Sequence, residues 1–191
     1  MTDILILVNE KDEPVGYKEK IQCHLGRGMR HRAFSIFIFN SKGEVLIQQR
    51  SKEKMLWGGY WSNTCCSHPR KGEDMREAAH RRLFEEMGFK SRLTYAFKFR
   101  YSARFKNIGS ENEFCSVFIG RFRGRVKADP SEAMAWKFID YNKLLRDVKK
   151  NPRRYTPWFK IELRKLQDGK FNPNQLKPKK DNFQFSIYNL Q

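Results

Sequence analysis

The sequence lacks several features that would place it in a familiar class. No stretch approaches the roughly 20 consecutive apolar residues of a membrane-spanning helix, and the start, MTDILILVNE, has too short an apolar run and no basic flank for a secretory signal. Four cysteines, two of them adjacent, make a poor disulfide framework for a chain of 191 residues. We therefore expect free thiols and a cytoplasmic location.

Acidic residues are also scarce, since 39 Lys and Arg stand against 21 Asp and Glu for a formal net charge of +18. Residues 143–180 hold thirteen basic and three acidic residues, a net charge of +10. Such an excess attracts anions of any kind, whether phosphate ester, nucleic acid or acidic lipid, and a solvated basic surface explains it equally well. Charge by itself therefore selects no partner.

Hydrophobic residues make up 39% of the chain and include sixteen Phe, which is enough for a globular core. Their patterns predict strands at 4–8, 34–39, 44–50, 95–101, 111–122 and 136–139, and helices at 74–88, 141–150 and 158–166. The segment 17–33 has the composition of a polar loop or short edge strand. Strands mixed with helices at these spacings indicate an α/β or α+β fold with a mostly antiparallel or mixed sheet.

The stretch at 57–89 concentrates unusual chemistry. It starts as a Gly- and aromatic-rich loop, passes two cysteines and a histidine, and continues as a charged helix that Gly88 ends. On a helical wheel Glu86 falls on the apolar side of this helix. An inward carboxylate costs several kcal/mol unless it is paired or binds a cation. A pair with Arg82, one turn earlier, and a bound cation are both open at this point.

Two further carboxylates share one face of a predicted strand. The two-residue period of 111–122 places Glu111 and Glu113 in the same row as Cys115. Like charges two residues apart repel, so the pair implies a bound cation, a shared proton or an exposed and frayed strand end.

The helix in 57–89 resembles the Nudix box, whose general pattern is G-x5-E-x7-R-E-U-x-E-E-x-G-U. The corresponding positions here are Ser67, Glu73, Arg81, Arg82, Leu83, Glu85, Glu86, Gly88 and Phe89. Two positions differ from the pattern. Ser67 stands where the pattern has its first Gly, and Arg82 stands where the pattern has the Glu that follows its Arg. With these departures and the motifs NTCCSHP, HRAFS, ENE and TPW, the chain is similar to the type 1 isopentenyl diphosphate isomerase family over about residues 1–167.

The resemblance implies a Nudix-type mixed β-sheet core flanked by helices, in an isomerase domain at 1–169. The basic tail at 170–191 lies outside the resemblance, and its role is unknown. The segment 183–190 either adds a strand or stays mobile. The family resemblance also implies an enzyme of isoprenoid biosynthesis. Such an enzyme interconverts isopentenyl diphosphate and dimethylallyl diphosphate by protonation and deprotonation through a carbocation. Such a substrate is a small molecule, no nucleic acid is required, and the oligomeric state stays open.

The resemblance further implies two cation sites. One would hold Mn²⁺, Mg²⁺ or Zn²⁺ and corresponds to His24, His31, His68, Glu111 and Glu113. The other would hold a Mg²⁺ that bridges the substrate diphosphate to Glu86 and to the carbonyl of Cys66. The fourth histidine, His80, is left as an ordinary helix residue.

Catalytic roles follow from the same resemblance. Cys66 and Glu113 correspond to the acid/base pair, Tyr101 lies beside Glu113, and Trp158 corresponds to the aromatic face that stabilises the carbocation. Without the motifs, Cys66 and Trp158 would be taken for core residues. The cations that contact the diphosphate correspond to Lys20, Arg50, Lys54 and Arg82.

Two other functions compete with this interpretation. A Nudix hydrolase of a diphosphate substrate would collect metal ions with several helix glutamates, but Arg82 replaces one of them with a cation, which favours holding a diphosphate over cutting it. A module that binds nucleic acid or anionic membrane would use the basic C-terminal third. No RNP, KH, helix-turn-helix or zinc-finger spacing in the sequence supports that module.

Overall fold

A computed structural model describes residues 3–176, which form a mixed β-sheet with helices on both faces. The strands are β1 Ile4–Val8, β2 Pro14–Glu19, β3 His31–Phe39, β4 Glu44–Arg50, β5 Trp61–Ser62, β6 Cys65–Ser67, β7 Leu93–Phe105, β8 Gly109–Arg121 and β9 Ala133–Asp140. The α-helices are α1 Lys20–His24, α2 Met75–Met87, α3 Tyr141–Lys150 and α4 Pro157–Asp168. Every strand and helix predicted within these residues is confirmed. The elements β3, β7, β9 and α4 extend beyond the predicted bounds, and β8 starts two residues before its predicted start and ends one residue before its predicted end.

Strand β3 lies at the centre of the sheet. It runs antiparallel to β1, β4 and β6 and parallel to β8. The parallel register places His31 beside Glu113, and the antiparallel register with β6 places Ser35 beside Cys66. Because a strand has two edges, β6 and β8 lie on opposite sides of β3, and their side chains reach the same face of the sheet from two directions.

Alternation along β3 divides the interior into two clusters. Ala33, Phe37 and Phe39 point to the face that α3 and α4 cover. The residues between them, Phe34, Ile36 and Ile38, pack against α2 on the other face. Both faces of β3 are therefore apolar, as expected for a strand buried on both sides.

Helix α2 has the ends that the sequence predicts. The Asp74 side chain accepts hydrogen bonds from the backbone N–H groups of Arg76 and Glu77, and Gly88 ends the helix with a φ of 77°. A Cβ at Gly88 would lie 2.5 Å from the Lys127 carbonyl oxygen, so the position requires glycine for space as well as for conformation. Glu86 is 2% exposed, which confirms its inward orientation.

Two local predictions need correction. Thr156 precedes α4 as expected, but its hydroxyl makes no capping hydrogen bond and instead lies 3.0 Å from Ser62 Oγ. The segment 17–33 contains an edge strand, as one of the two alternatives held, and also the short helix α1. A five-residue helix is too short to form by intrinsic preference, so packing and not sequence pattern determines it.

The described part of the predicted tail packs on the core. Phe171 packs against Phe39 and Tyr141, with ring centroids 5.3 and 5.8 Å away, and Leu176 is buried. The segment 183–190 lies outside the described residues. Within 3–176, none of the helices combines the length and the apolar character that crossing a membrane requires.

Candidate active site

Three histidines and two glutamates converge on one point beside β3. His24 ends α1, His31 begins β3, His68 follows β6, and the two glutamates lie on β8. One potential ligand atom from each residue lies within 4.8 Å of all the others in the group formed by His24, His31, His68, Glu111 and Glu113. The structure thus brings together all five residues that the resemblance assigned to one cation.

A close approach of backbones positions His24 in this group. The loop after α1 crosses β8, where the Ser110 hydroxyl donates to the Gly26 carbonyl at 2.8 Å and the Asn112 amide donates to the Gly28 carbonyl at 3.2 Å. Gly28 has a φ of 71°, and a Cβ there would lie 2.7 Å from the Ser110 carbonyl oxygen. Only glycine meets both conditions at position 28.

Backbone carbonyls orient two of the histidine rings from the side away from the cluster. The Nδ1–H groups of His24 and His31 donate to the carbonyls of Lys20 and Met29 at 2.6 and 2.7 Å, so their Nε2 atoms face the cluster. His24 Nε2 lies 3.0 Å from Glu111 Oε2. Such carbonyl contacts fix the tautomer that a metal ligand needs.

Glu113 is the carboxylate that two histidines share. Its Oε1 lies 3.0 Å from His68 Nε2 and 3.6 Å from His31 Nε2. The Tyr101 hydroxyl donates to its other oxygen, Oε2, at 2.6 Å. The two histidines therefore lie at one oxygen of the Glu113 carboxylate, and the tyrosine hydroxyl lies at the other.

The donor set fits a divalent cation. The buried His31 Nε2 has no hydrogen-bond partner among the described residues, and imidazole nitrogens with carboxylate oxygens suit Mg²⁺ or a first-row metal. Glu111 and Glu113 are each 6% exposed, which excludes the frayed strand end as the explanation of their pairing. This group of residues could hold a metal ion.

Electrostatics within the group differ from residue to residue. Burial lowers the pKa of His68 well below its usual value, and the neighbouring histidines lower it further. Burial raises the pKa of Glu113, but the charge of the nearby His31 and the hydrogen bond from Tyr101 outweigh burial and lower it. For His24, burial is again outweighed, because the hydrogen bond and charge of Glu111 raise its pKa.

A cavity of about 140 Å³ adjoins the group, and the four predicted catalytic residues line it: Cys66, Tyr101, Glu113 and Trp158. The indole N–H of Trp158 donates to Asn63 Oδ1 at 3.2 Å, and its ring meets that of Trp57 edge-on at 5.4 Å between centroids. The indole is therefore held by contacts away from the cavity.

Cys66 and Trp158 share one cationic neighbour. The Arg50 guanidinium lies 5.2 Å from the centroid of the Trp158 ring, and its Nη1 donates to Cys66 Sγ at 3.4 Å. Burial raises the pKa of the Cys66 thiol to about 12, against the lowering effect of Arg50. The thiol is thus protonated at neutral pH, with a cation ready to stabilise its thiolate.

The four predicted diphosphate-binding cations line the same cavity: Lys20, Arg50, Lys54 and Arg82. Arg82 Nη2 donates to Glu86 Oε1 at 2.8 Å and to Glu132 Oε1 at 3.0 Å. Glu132 also forms an ion pair with Lys54. The pairing of Glu86 with Arg82, one of the two alternatives from the sequence, is therefore present.

Comparison with known proteins decides the family. A family model for the NUDIX domain matches residues 29–159. The chain is 46% identical over 159 residues to the isopentenyl-diphosphate Delta-isomerase of Burkholderia multivorans, covering 83% of this chain and 90% of that protein. It is 41% identical over 170 residues to isopentenyl-diphosphate Delta-isomerase 1 of Photorhabdus laumondii, covering 88% and 97%. The chain belongs to the NUDIX isopentenyl-diphosphate Delta-isomerase family.

Solved structures of other proteins share the fold. DR0079 of Deinococcus radiodurans has a TM-score of 0.64 at 21% identity and covers 78% of this chain and 90% of its own. A MutT protein of Methanosarcina mazei has a TM-score of 0.63 at 19% identity, with 75% and 96% covered. These identities support the fold alone, and they confirm the predicted mixed sheet flanked by helices.

Two acidic residues near the site of this isomerase-family member were not predicted. Glu132 lies on the turn before β9 and contacts Lys54 and Arg82, but nothing in its local sequence marks it. Glu162 is fully buried on α4. Its spacing of four residues from Trp158 places it on the apolar face of that helix, so the wheel argument applied to Glu86 would have found it.

Proposed function

We propose that this member of the family interconverts isopentenyl diphosphate and dimethylallyl diphosphate, with Cys66 and Glu113 as the acid/base pair. The observation that carries the proposal is one cavity that contains a protonated thiol, a carboxylate and an indole, with four cations in its lining. Phe34, Leu56 and Trp158 give the cavity an apolar part that can receive a five-carbon alkene, and a diphosphate requires the cations.

The thiol is the group suited to give a proton. Cys66 donates its proton to the terminal carbon of the alkene, which leaves a tertiary carbocation and a thiolate. The hydrogen bond from Arg50 stabilises the thiolate as it forms. Trp158 is 3% exposed and presents an aromatic face that stabilises the carbocation without capturing it, whereas water would capture it.

The carboxylate is the group suited to take a proton. Its lowered pKa keeps Glu113 ionised, and the Tyr101 hydroxyl orients it by a hydrogen bond to Oε2. Glu113 removes a proton from the neighbouring methylene, and the double bond forms one position along. Cys66 and Glu113 lie on strands at opposite sides of β3, which supports protonation and deprotonation from different walls.

We propose that His24, His31, His68, Glu111 and Glu113 hold Mn²⁺, Mg²⁺ or Zn²⁺. The cation would supply positive charge that keeps Glu113 ionised and fixed in place. We further propose that Glu86 and the Cys66 carbonyl hold the Mg²⁺ that accompanies the diphosphate, with Lys20, Arg50, Lys54 and Arg82 as the protein's contacts to the phosphoryl oxygens.

We also propose that the catalytic domain spans 1–169 and that the enzyme works in the cytoplasm on a small diphosphate without nucleic acid. The residues that line the cavity lie between Lys20 and Trp158, inside these limits, and Phe171 and Leu176 beyond them pack on the core. All four cysteines are free thiols, as a reducing compartment would keep them.

The test is turnover of isopentenyl diphosphate with Mg²⁺ in deuterated water. Dimethylallyl diphosphate that contains deuterium is the expected product. Because general acid/base groups contribute roughly 10²–10⁴-fold each, Cys66→Ala and Glu113→Gln should each lower kcat by at least about 10²-fold while the fold is retained. Release of phosphate or diphosphate without an allylic product would instead favour the Nudix hydrolase.

Cys65→Ala is the matched control for the thiol. Cys65 is adjacent in sequence but is buried in the cluster on the α2 face of the sheet, away from the cavity. Its loss should lower stability by about 1 kcal/mol or more and leave kcat within a few-fold. Near-normal turnover in Cys66→Ala, or equal losses in the two cysteine variants, would refute the role given to Cys66.

A further inference from the structure

Glu162 is a buried acid near the cavity that the mechanism above does not use. It lies on α4, one turn after Trp158, and is 0% exposed. Its Oε1 lies 3.9 Å from Cys115 Sγ, and that thiol lies 3.5 Å from Ser35 Oγ. Its Oε2 has no hydrogen-bond partner, and no Lys or Arg within residues 3–176 forms an ion pair with it.

These surroundings favour the uncharged acid. An ionised carboxylate without a cation in a dry interior costs several kcal/mol, whereas a neutral carboxyl is satisfied by few hydrogen bonds. Burial raises the pKa of Glu162 to about 8, and the charge of Glu113 adds to the effect, against the polar side chains of Ser35 and Cys115. Glu162 is therefore protonated at neutral pH.

The neighbours of Glu162 connect it to both proton-transfer groups. Ser35 is the cross-strand partner of Cys66 and lines the cavity with it. Cys115 follows Glu113 by two residues and shares its face of β8. Among residues 3–176, the titratable groups that face Glu162 are Cys115 and Glu113 on β8 and Cys66 on β6, and none of them is a cation.

We propose that Glu162 is a positioning residue that works as an uncharged acid, holding Ser35 and Cys115 beneath the catalytic pair and keeping negative charge out of the cavity wall. A charge on Glu162 would act in two ways. It would make the Cys66 thiol a weaker acid, because the two groups repel as anions. It would also draw water into the interior, where water captures a carbocation.

This proposal rests on the isomerase function, and its sharpest variant is Glu162→Gln, which has the same shape but no charge at any pH. With both cations saturating, kcat of the wild type should fall as pH rises through about 8, and that of the variant should not. A group with a pKa of about 8 is mostly protonated at pH 7 and mostly ionised at pH 9.5, so the ratio of kcat (variant over wild type) should rise several-fold between these two pH values. KM should change little.

Glu162→Leu is a second variant, to be used if the Glu162→Gln protein does not fold. A leucine needs no hydrogen bond in a buried site. Its kcat should be lower than that of the wild type at pH 7, since Ser35 and Cys115 lose their partner, but its alkaline decline should also be absent. The proposal is overturned if either variant keeps the decline of the wild type, or if the ratio of kcat does not change with pH.

A measurement without substrate separates this proposal from the isomerase function. The folded protein binds one more proton than the unfolded chain between pH 4.5, the ordinary value for Glu, and about 8. The wild type should therefore lose stability relative to Glu162→Gln as pH rises through this window, and the difference should level off above it. If the difference in unfolding free energy between the two proteins does not change with pH, Glu162 is not an uncharged acid in the folded protein and the proposal is overturned. Absence of turnover in the wild type would overturn only the isomerase function.

Discussion

Arg82 forms ion pairs with two glutamates of its own helix, one buried and one exposed. Replacement of Arg82 by glutamine should show how much each pair contributes to the free energy of unfolding. Arg82 Nη1 lies 2.7 Å from Glu85 Oε2, and Arg82 Nη2 lies 2.8 Å from Glu86 Oε1. The distances are nearly equal, but the Glu85 side chain is 39% exposed and that of Glu86 is 3% exposed. Solvent exposure is thus the main difference between the two pairs.

The expected energies differ several-fold. An exposed pair three residues apart on a helix contributes about 0.3–0.5 kcal/mol. Removing one partner of a buried pair costs roughly 3–5 kcal/mol, because the other charge is left without compensation. The Gln48 amide retains a long contact of 3.4 Å with Glu86 Oε2, so we take the lower end of that range. Arg82→Gln should therefore cost about 3 kcal/mol.

Double-mutant cycles in urea, with EDTA present so that bound metal does not contribute, give the measurement. Coupling between Arg82→Gln and Glu86→Gln should be about 2 kcal/mol, and coupling between Arg82→Gln and Glu85→Gln below about 0.5 kcal/mol. Coupling energies that are equal, or larger for Glu85, would show that burial does not determine the strength of these pairs.

Two further predictions concern the neighbourhood of the site. The charges of Lys54 and Arg82 outweigh burial and lower the pKa of Glu132 from 4.5 to about 2, so its contribution to stability is present above pH 4.5 and disappears as pH falls toward 2. Acid titration of the unfolding free energy should show a smaller loss in Glu132→Gln than in the wild type, and identical curves would refute this. Gly28→Ala should weaken Mn²⁺ binding at least about 10-fold by calorimetry, because its Cβ would push the His24 loop off Ser110, whereas Gly26→Ala, also at positive φ but with open space, should bind normally. Equal affinities in the two variants would contradict the role of that close approach.

The sequence predicts most of the fold because period and end signals agree in each long element. Helix α2 is bounded by Asp74 and Gly88, and both act as predicted. Strand β8 alternates so regularly that the common face of Glu111 and Glu113 follows from counting. Helix α1 could not be found in this way, since its five residues are stabilised by contacts with β2 and β8 and carry no periodic signal.

The candidate site divides along similar lines. The candidate metal ligands and proton-transfer groups lie in sequence motifs. Their roles are predicted because those motifs resemble the motifs of a known family. Glu132 carries no such mark, because an acidic residue in an irregular turn is ordinary on a protein surface, and only the tertiary fold brings it to Arg82, 50 residues away. Glu162 is different, since a carboxylate on the apolar face of α4 is visible on a helical wheel.

Charge at the end of the cavity that we propose for the diphosphate explains how Arg82 can replace a Nudix glutamate without making the site too positive. Lys20, Arg50, Lys54 and Arg82 bring four positive charges to the cavity lining, and Glu86 and Glu132 sit against two of them. The carboxylates restrain Arg82 and Lys54 and reduce their repulsion, which lowers the entropy that the side chains lose on binding. The remaining positive charge still attracts a phosphate group. A glutamate at position 82 would add an anion and remove the partner of Glu86, so the same helix would favour collecting further metal ions over holding the diphosphate intact.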